Sequence, residues 1–94
     1  MAYAAFFTVD NSGEDPDDGR RGLREELVPA MKALPGYQSA MFMTAYERGK
    51  GIGVVVFETL EQAESLARGV EIGSIIHPGV TVTGSEVLEV AATA

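Results

Sequence analysis

The sequence predicts an α+β domain of order βαββαβ: one four-stranded antiparallel sheet with two helices on one face. Three observations predict it. Four runs rich in β-branched and aromatic residues alternate with two stretches whose apolar residues recur at helical spacing. Clusters of Gly, Pro, Asp and Asn separate these segments. The chain has 94 residues, 46% of them apolar, which suits a single folded domain over 1–94.

Residues 2–9, Ala-Tyr-Ala-Ala-Phe-Phe-Thr-Val, contain no turn former and read as the first strand. Residues 10–19 are turn chemistry throughout and read as a loop. Asp15-Pro16-Asp17-Asp18 opens the first helix: a capping carboxylate, Pro at the first helical position, and acids at the positive helix end. Leu23, Leu27, Met31 and Leu34 then recur at spacings of 4, 4 and 3. Pro29 falls inside this pattern without an N–H to donate, so the helix is expected to bend near Glu25. Pro35-Gly36 stops it.

Residues 37–47 read as the second strand, Arg48-Gly49-Lys50-Gly51 as a hairpin turn, and residues 52–58 as the third strand. Thr59 and Gln62 have capping-box spacing at the start of a second helix. Its apolar face is Leu60, Ala63, Leu66, Ala67 and Val70, and Gly69 and Gly73 end it. His77-Pro78-Gly79 is a turn. Residues 80–90 form the fourth strand, with Gly84 marking a bulge or bend, and residues 91–94 read as a frayed tail. Two crossovers with a hairpin between them make a ferredoxin-like split βαβ arrangement, and right-handed crossovers put both helices on the same face.

Two helices cover one face only. Met41, Phe42 and Met43 are consecutive, as are Val54, Val55 and Val56, and Phe6 adjoins Phe7. Apolar side chains therefore point both ways from the sheet. An uncovered second face would be a patch of several hundred Å², more than a soluble monomer usually leaves open. The expectation is a homodimer through the sheet faces about a two-fold axis.

Acidic residues outnumber basic ones 14 to 7, giving a net charge of -7. Phosphate backbones repel such a chain, so nucleic acid is expected not to bind. The longest apolar run, Gly51–Phe57, is far short of the ~18 residues of a membrane span, so no membrane is expected as a partner. Met1–Phe7 has no basic leader and meets Asp10 early. It reads as a strand rather than a signal peptide, with the cytoplasm as default location. With no Cys and one His, no thiolate metal site, disulfide or cofactor is expected.

Candidate polar residues are few. His77 is the one side chain with an ordinary titration near neutrality, and could serve as base or haem ligand or simply as a turn residue. Tyr46, late in the second strand, could hydrogen-bond or stack on a ligand, or could cover a core edge. Asn11 could place a substrate carbonyl or oxygen, or shape a turn. Phe7, Phe42 and Phe57 are the expected walls of a substrate pocket, with a dimer core as the alternative use of such side chains. Asp10, Ser12, Glu14 and Asp18 mimic a calcium loop, but Asp15 stands where it needs Gly and Arg21 where it needs Glu. Gly49-Lys50-Gly51-Ile52-Gly53 looks like a phosphate cradle, yet it joins two strands and reads as a hairpin.

The repeated βαβ order, Leu34-Pro35-Gly36-Tyr37 before the second strand, the join Phe57-Glu58-Thr59-Leu60-Glu61-Gln62-Ala63, and Pro78-Gly79-Val80 before a last strand ending Glu86-Val87-Leu88-Glu89-Val90 together resemble the dimeric α/β barrel superfamily. More narrowly, the chain is similar to antibiotic-biosynthesis-monooxygenase-like families. The resemblance implies two sheets paired into a barrel, each subunit keeping a pocket between sheet and helices. It also implies relatives that include cofactor-independent oxygenases, haem degraders, isomerases and lyases. The leading expectation is a homodimer that binds an apolar or aromatic small molecule and oxidises it without a cofactor, with His77, Tyr46 and Asn11 as catalytic contacts. The alternative is a non-catalytic ligand-binding or interaction homodimer. The absence of the Trp used by catalytic members favours it, as does the lack of a nucleophile–base pair.

Overall fold

Strand β1 (Ala2–Asp10) is the centre of the fold, hydrogen-bonded on both sides in a computed structural model that describes residues 1–94. The sheet order is β2 (Tyr37–Ala45), β3 (Lys50–Phe57), β1, β5 (Val80–Val90), β4 (Ile75–His77), with every neighbouring pair antiparallel. This is the ferredoxin-like arrangement with five strands instead of the four expected. The extra strand exists because Pro78-Gly79 makes a tight turn: Gly79 takes φ +83, which Pro at the preceding position and a left-handed Gly together supply. Ile75–His77 then folds back on β5, with His77 opposite Val80. His77 is therefore the last residue of a strand and not the first of a turn.

β2 is shorter than the 37–47 expected. After Ala45 the chain makes a single 3-10 turn, Tyr46–Arg48, closed by Gly49 at φ 65. The Gly49 N–H donates to the Tyr46 carbonyl at 3.1 Å. Tyr46 thus leaves the strand and turns off its end.

The first helical region is α1 (Pro16–Gly22), a π-helical turn (Leu23–Leu27) and α2 (Val28–Lys32). Asp15 caps it by accepting from the Asp18 N–H at 3.1 Å. Pro29 cannot donate to the Glu25 carbonyl, and the Val28 N–H reaches five residues back to the Leu23 carbonyl. The irregularity expected near Glu25 takes the form of a widened turn. Helix α3 (Leu60–Gly69) carries the capping box: Thr59 N–H donates to Gln62 Oε1 at 3.0 Å, and Gln62 N–H to Thr59 Oγ1 at 3.3 Å. β1 and β5 skip a residue between Thr8 and Val9, opposite Gly84 and Val82, so the bulge lies where Gly84 predicts it.

Period-two alternation sorts the strands onto two faces. Ala5, Phe7, Val55 and Phe57 point toward the helices and form the core with Ala63 of α3, which has no accessible surface. Alanine there lets α3 lie directly on the sheet. The first helical region does not come as close: no residue between Leu23 and Lys32 is buried. On the other face, Phe6 stands opposite Val54, and Val54 opposite Met41. Ala4 likewise stands opposite Leu88. Met41 is 61% exposed, and Met43 and Leu88 nearly half. No helix is long and apolar enough to cross a membrane.

Candidate functional site

The gap between the first helical region and the sheet is a cavity of about 290 Å³. Its lining is mainly apolar. Phe7 and Phe42 come from the sheet, Leu23, Leu27 and Met31 from the helical region, and Leu66 from α3. Gly53 stands between Phe7 and Phe42 in the strand register. A Cβ there would meet the Phe42 ring at 3.0 Å and the Phe7 ring at 3.9 Å, so glycine leaves floor space between two aromatic walls. A Cβ at Gly51 would meet Val9 at 2.8 Å and the Asn11 amide nitrogen at 3.4 Å. The glycine-rich hairpin Gly49–Gly53 is thus neither a phosphate cradle nor only a turn: two of its glycines shape the cavity.

Four polar side chains gather at one end: Asn11, Glu14, Tyr46 and His77. Asn11 is 3% exposed, and its Nδ2 donates to the Lys50 carbonyl at 3.1 Å. That leaves its Oδ1 buried and unpartnered. His77 Nδ1 lies 2.9 Å from Glu14 Oε2, a carboxylate only 10% exposed. The approach is an ion-pair distance without hydrogen-bond alignment, so Nδ1 also counts as buried and unbonded. The Tyr46 hydroxyl is buried too, and its hydrogen-bonding neighbour, the Thr44 side chain, is out of good alignment with it. Burial pushes its phenol up from 10.0 and the Glu14 charge adds to this, whereas Arg20 and the nearby Thr44 hydroxyl pull it back. Arg20 sits over the Tyr46 ring, 5.1 Å from its centroid, and does not itself line the cavity.

Local structure explains the convergence. The Glu14 N–H donates to the Asn11 carbonyl at 3.0 Å, a turn that keeps these two cavity-lining residues close together. Gly13 packs backbone-to-backbone on Gly79, where a Cβ would meet the Gly79 Cα at 3.1 Å, and this brings the Glu14 loop against the His77 hairpin. Gly19 and Gly22 lie one turn apart on α1 and present no side chain. A Cβ at Gly19 would strike both the Glu14 carboxylate and the Tyr46 hydroxyl, so those groups occupy the space that glycine vacates. A Cβ at Gly22 would stand 3.7 Å from His77 Nε2 and 3.8 Å from a Glu26 carboxylate oxygen.

The structure therefore brings His77, Tyr46 and Asn11 together, with Phe7 and Phe42 beside them. Phe57 lies elsewhere: it is core, 1% exposed, and borders a second hollow under Leu34 and Pro35 instead. Glu14, which the sequence offers only as a loop residue at a failed calcium-loop position, is the fourth polar member of the site. The signal for it was the i,i+3 glycine pair on α1, which marks a helix face approached closely by something else.

No protein-family model matches the sequence, and no curated protein matches it. The narrower resemblance to antibiotic-biosynthesis-monooxygenase-like families thus finds no support there. Among solved structures, the chain is similar to the "MEC-8 C-terminal RRM domain bound to AGCACA", with a TM-score of 0.50 and 18% identity over 100% of this chain and 98% of that one. The likeness is one of fold. It corrects the expectation that nucleic acid is excluded: a domain of this same fold was solved with AGCACA bound, so net charge alone does not decide the partner.

Proposed function

We propose that the chain is a non-catalytic, ligand-binding homodimer whose cavity takes a small molecule with an apolar body and a polar head. One observation carries this: three buried polar atoms, Asn11 Oδ1, Tyr46 Oη and His77 Nδ1, have no well-aligned hydrogen-bond partner within the chain, at the end of an otherwise apolar cavity. Each such group costs about 1–3 kcal/mol when unsatisfied, and a ligand head recovers that loss. His77, Tyr46 and Asn11 are then binding contacts, with Phe7 and Phe42 holding the body. The likeness to a binding domain supports this reading over a monooxygenase. The same proposal includes a cytoplasmic location.

The dimer forms through the open sheet face, where Met41, Val54 and Phe6 lie side by side in one row that ends at Glu86, and Leu88 stands opposite Ala4 in the next. Burying them on a second copy removes apolar area at about 25 cal/mol per Å².

A thermal-shift panel of one- and two-ring apolar probes tests the ligand reading. A ligand at ~100 times its Kd adds about 2.7 kcal/mol, a shift on the order of 10–20 °C for a chain this small. No shift from any probe overturns it. Sedimentation tests the dimer, which Phe6→Glu should split into monomers.

A second reading comes from the nucleic-acid-bound neighbour: the open face as a platform on which a base stacks against Phe6. Anisotropy of labelled AGCACA discriminates. Binding that competes with dimerisation favours this reading, and a dimer indifferent to the oligonucleotide favours the first.

A further inference from the structure

We infer that the cavity selects an apolar amine, held as an ammonium ion at the Asn11–Glu14–Tyr46 end. This rests on the ligand-binding reading above and specifies its ligand.

The argument is a count of donors and acceptors. Asn11 has committed its Nδ2 to the Lys50 carbonyl, so what faces a ligand is an acceptor, Oδ1, on a side chain more than nine-tenths buried. Glu14 is an acceptor and carries charge on a side chain 10% exposed. Tyr46 Oη can accept as well as donate. An ammonium head brings up to three N–H donors, enough for all three. A hydroxyl brings one donor and leaves at least one of these acceptors empty. A carboxylate, phosphate or sulfate brings none and would stand against Glu14.

Charge points the same way. Two carboxylates, Glu14 and Glu26, line the cavity, and the only ionisable nitrogen among the lining residues is that of His77. His77 Nδ1 lies 2.9 Å from Glu14 Oε2, and a Cβ at Gly22 would stand 3.7 Å from His77 Nε2 and 3.8 Å from a Glu26 oxygen. Even a protonated imidazole leaves the carboxylates in excess. Arg20 lies over the Tyr46 ring, 5.1 Å from its centroid, and is not among the residues that line the space. An organic cation is a positive charge that suits this lining. The apolar walls, with Phe7 and Phe42 among them, set the body as hydrophobic, and the volume fits a one- or two-ring skeleton.

The test uses one skeleton with three heads: 2-naphthylmethylammonium, 2-naphthylmethanol and 2-naphthoate, titrated calorimetrically at neutral pH into wild type, Glu14→Gln and Glu25→Gln. Glu25 is exposed and does not line the cavity, so its variant controls for the general negative charge of the chain. In wild type the amine should bind about tenfold tighter than the alcohol, since hydrogen bonds to a charged partner are the stronger kind. Glu14→Gln should cost the amine about tenfold and change the alcohol by less than about threefold, while Glu25→Gln changes neither. The proposal is overturned if the alcohol or the naphthoate binds as tightly as the amine, or if Glu25→Gln weakens the amine as much as Glu14→Gln. Alcohol binding with no preference for the amine leaves the ligand-binding reading standing, whereas no binding by any of the three ends both.

Discussion

Phe6 and Phe7 are neighbours in the chain and point to opposite faces of one strand, and the two faces have different fates. Phe7 is 7% exposed, packed among Ala5, Val55, Phe57 and Ala63 and bordering a cavity with a polar end. Phe6 belongs to a face that no element of its own chain covers, where Met41, Met43 and Leu88 remain open to solvent. Chain geometry cannot explain the difference, because both faces have the same pleat and both carry large apolar side chains. Coverage explains it. The fold supplies two helical regions, both fall on one side, and only α3 lies tightly against the sheet. The first helical region stands off, and the space beneath it becomes the cavity.

The sharpest way to break this contrast is the same truncation on each face. Phe57→Ala removes a ring from the closed core and should cost about 3–5 kcal/mol in denaturant unfolding, a large share of the roughly 5–15 kcal/mol available to a domain. Met41→Ala on the open face should cost under about 0.5 kcal/mol in the dissociated monomer, because the side chain is already wet there. A core-sized loss for Met41→Ala at dilutions where the chain is monomeric would mean that the two faces are not different within one chain.

The architecture was readable because each element carried its own punctuation. Asp15-Pro16, Thr59…Gln62, Pro35-Gly36 and Gly84 act locally, and a local signal survives without knowledge of the rest of the fold. β4 was missed since three residues have too little pattern to show a period, and its existence depends on Pro78-Gly79 folding it back on β5. The sequence extends this strand through Tyr46 because an aromatic residue follows Ala45, and the left-handed Gly49 that closes the 3-10 turn acts from downstream. At the site, His77, Tyr46 and Asn11 were singled out for their chemistry. That they meet was beyond a linear reading, since a glycine-on-glycine contact between two distant turns brings Glu14 to His77.

A smaller effect compares two helical glycines, one facing the cavity and one facing water. At Gly69 a Cβ would meet nothing within 4 Å, so Gly69→Ala should stabilise by about 0.5–1 kcal/mol through helix propensity and a less free unfolded chain. At Gly19 the same methyl would strike the Glu14 carboxylate and the Tyr46 hydroxyl. Gly19→Ala should therefore lack that gain and displace Glu14 from the polar end. Thermal unfolding of the two variants side by side checks this. Equal stabilisation would show that the space beside Gly19 is not held by those groups.

The smallest effect appears only in alkali and belongs to the polar end alone. Burial and the Glu14 carboxylate hold the Tyr46 phenol above its ordinary 10.0 in the folded chain, while the unfolded chain ionises at the ordinary value. Below 10.0 both states keep the proton, and Tyr46 adds no pH dependence. As pH rises from there through the folded-state value, the unfolded chain loses its proton more readily than the native one, so stability falls. Tyr46→Phe removes the ionisable group and should flatten this limb of the pH–stability curve relative to wild type, with no change in slope near neutrality. Parallel curves for the two proteins above pH 10 would place the Tyr46 hydroxyl in water in solution, and the cavity would lose one of the three unpartnered atoms that define its polar end.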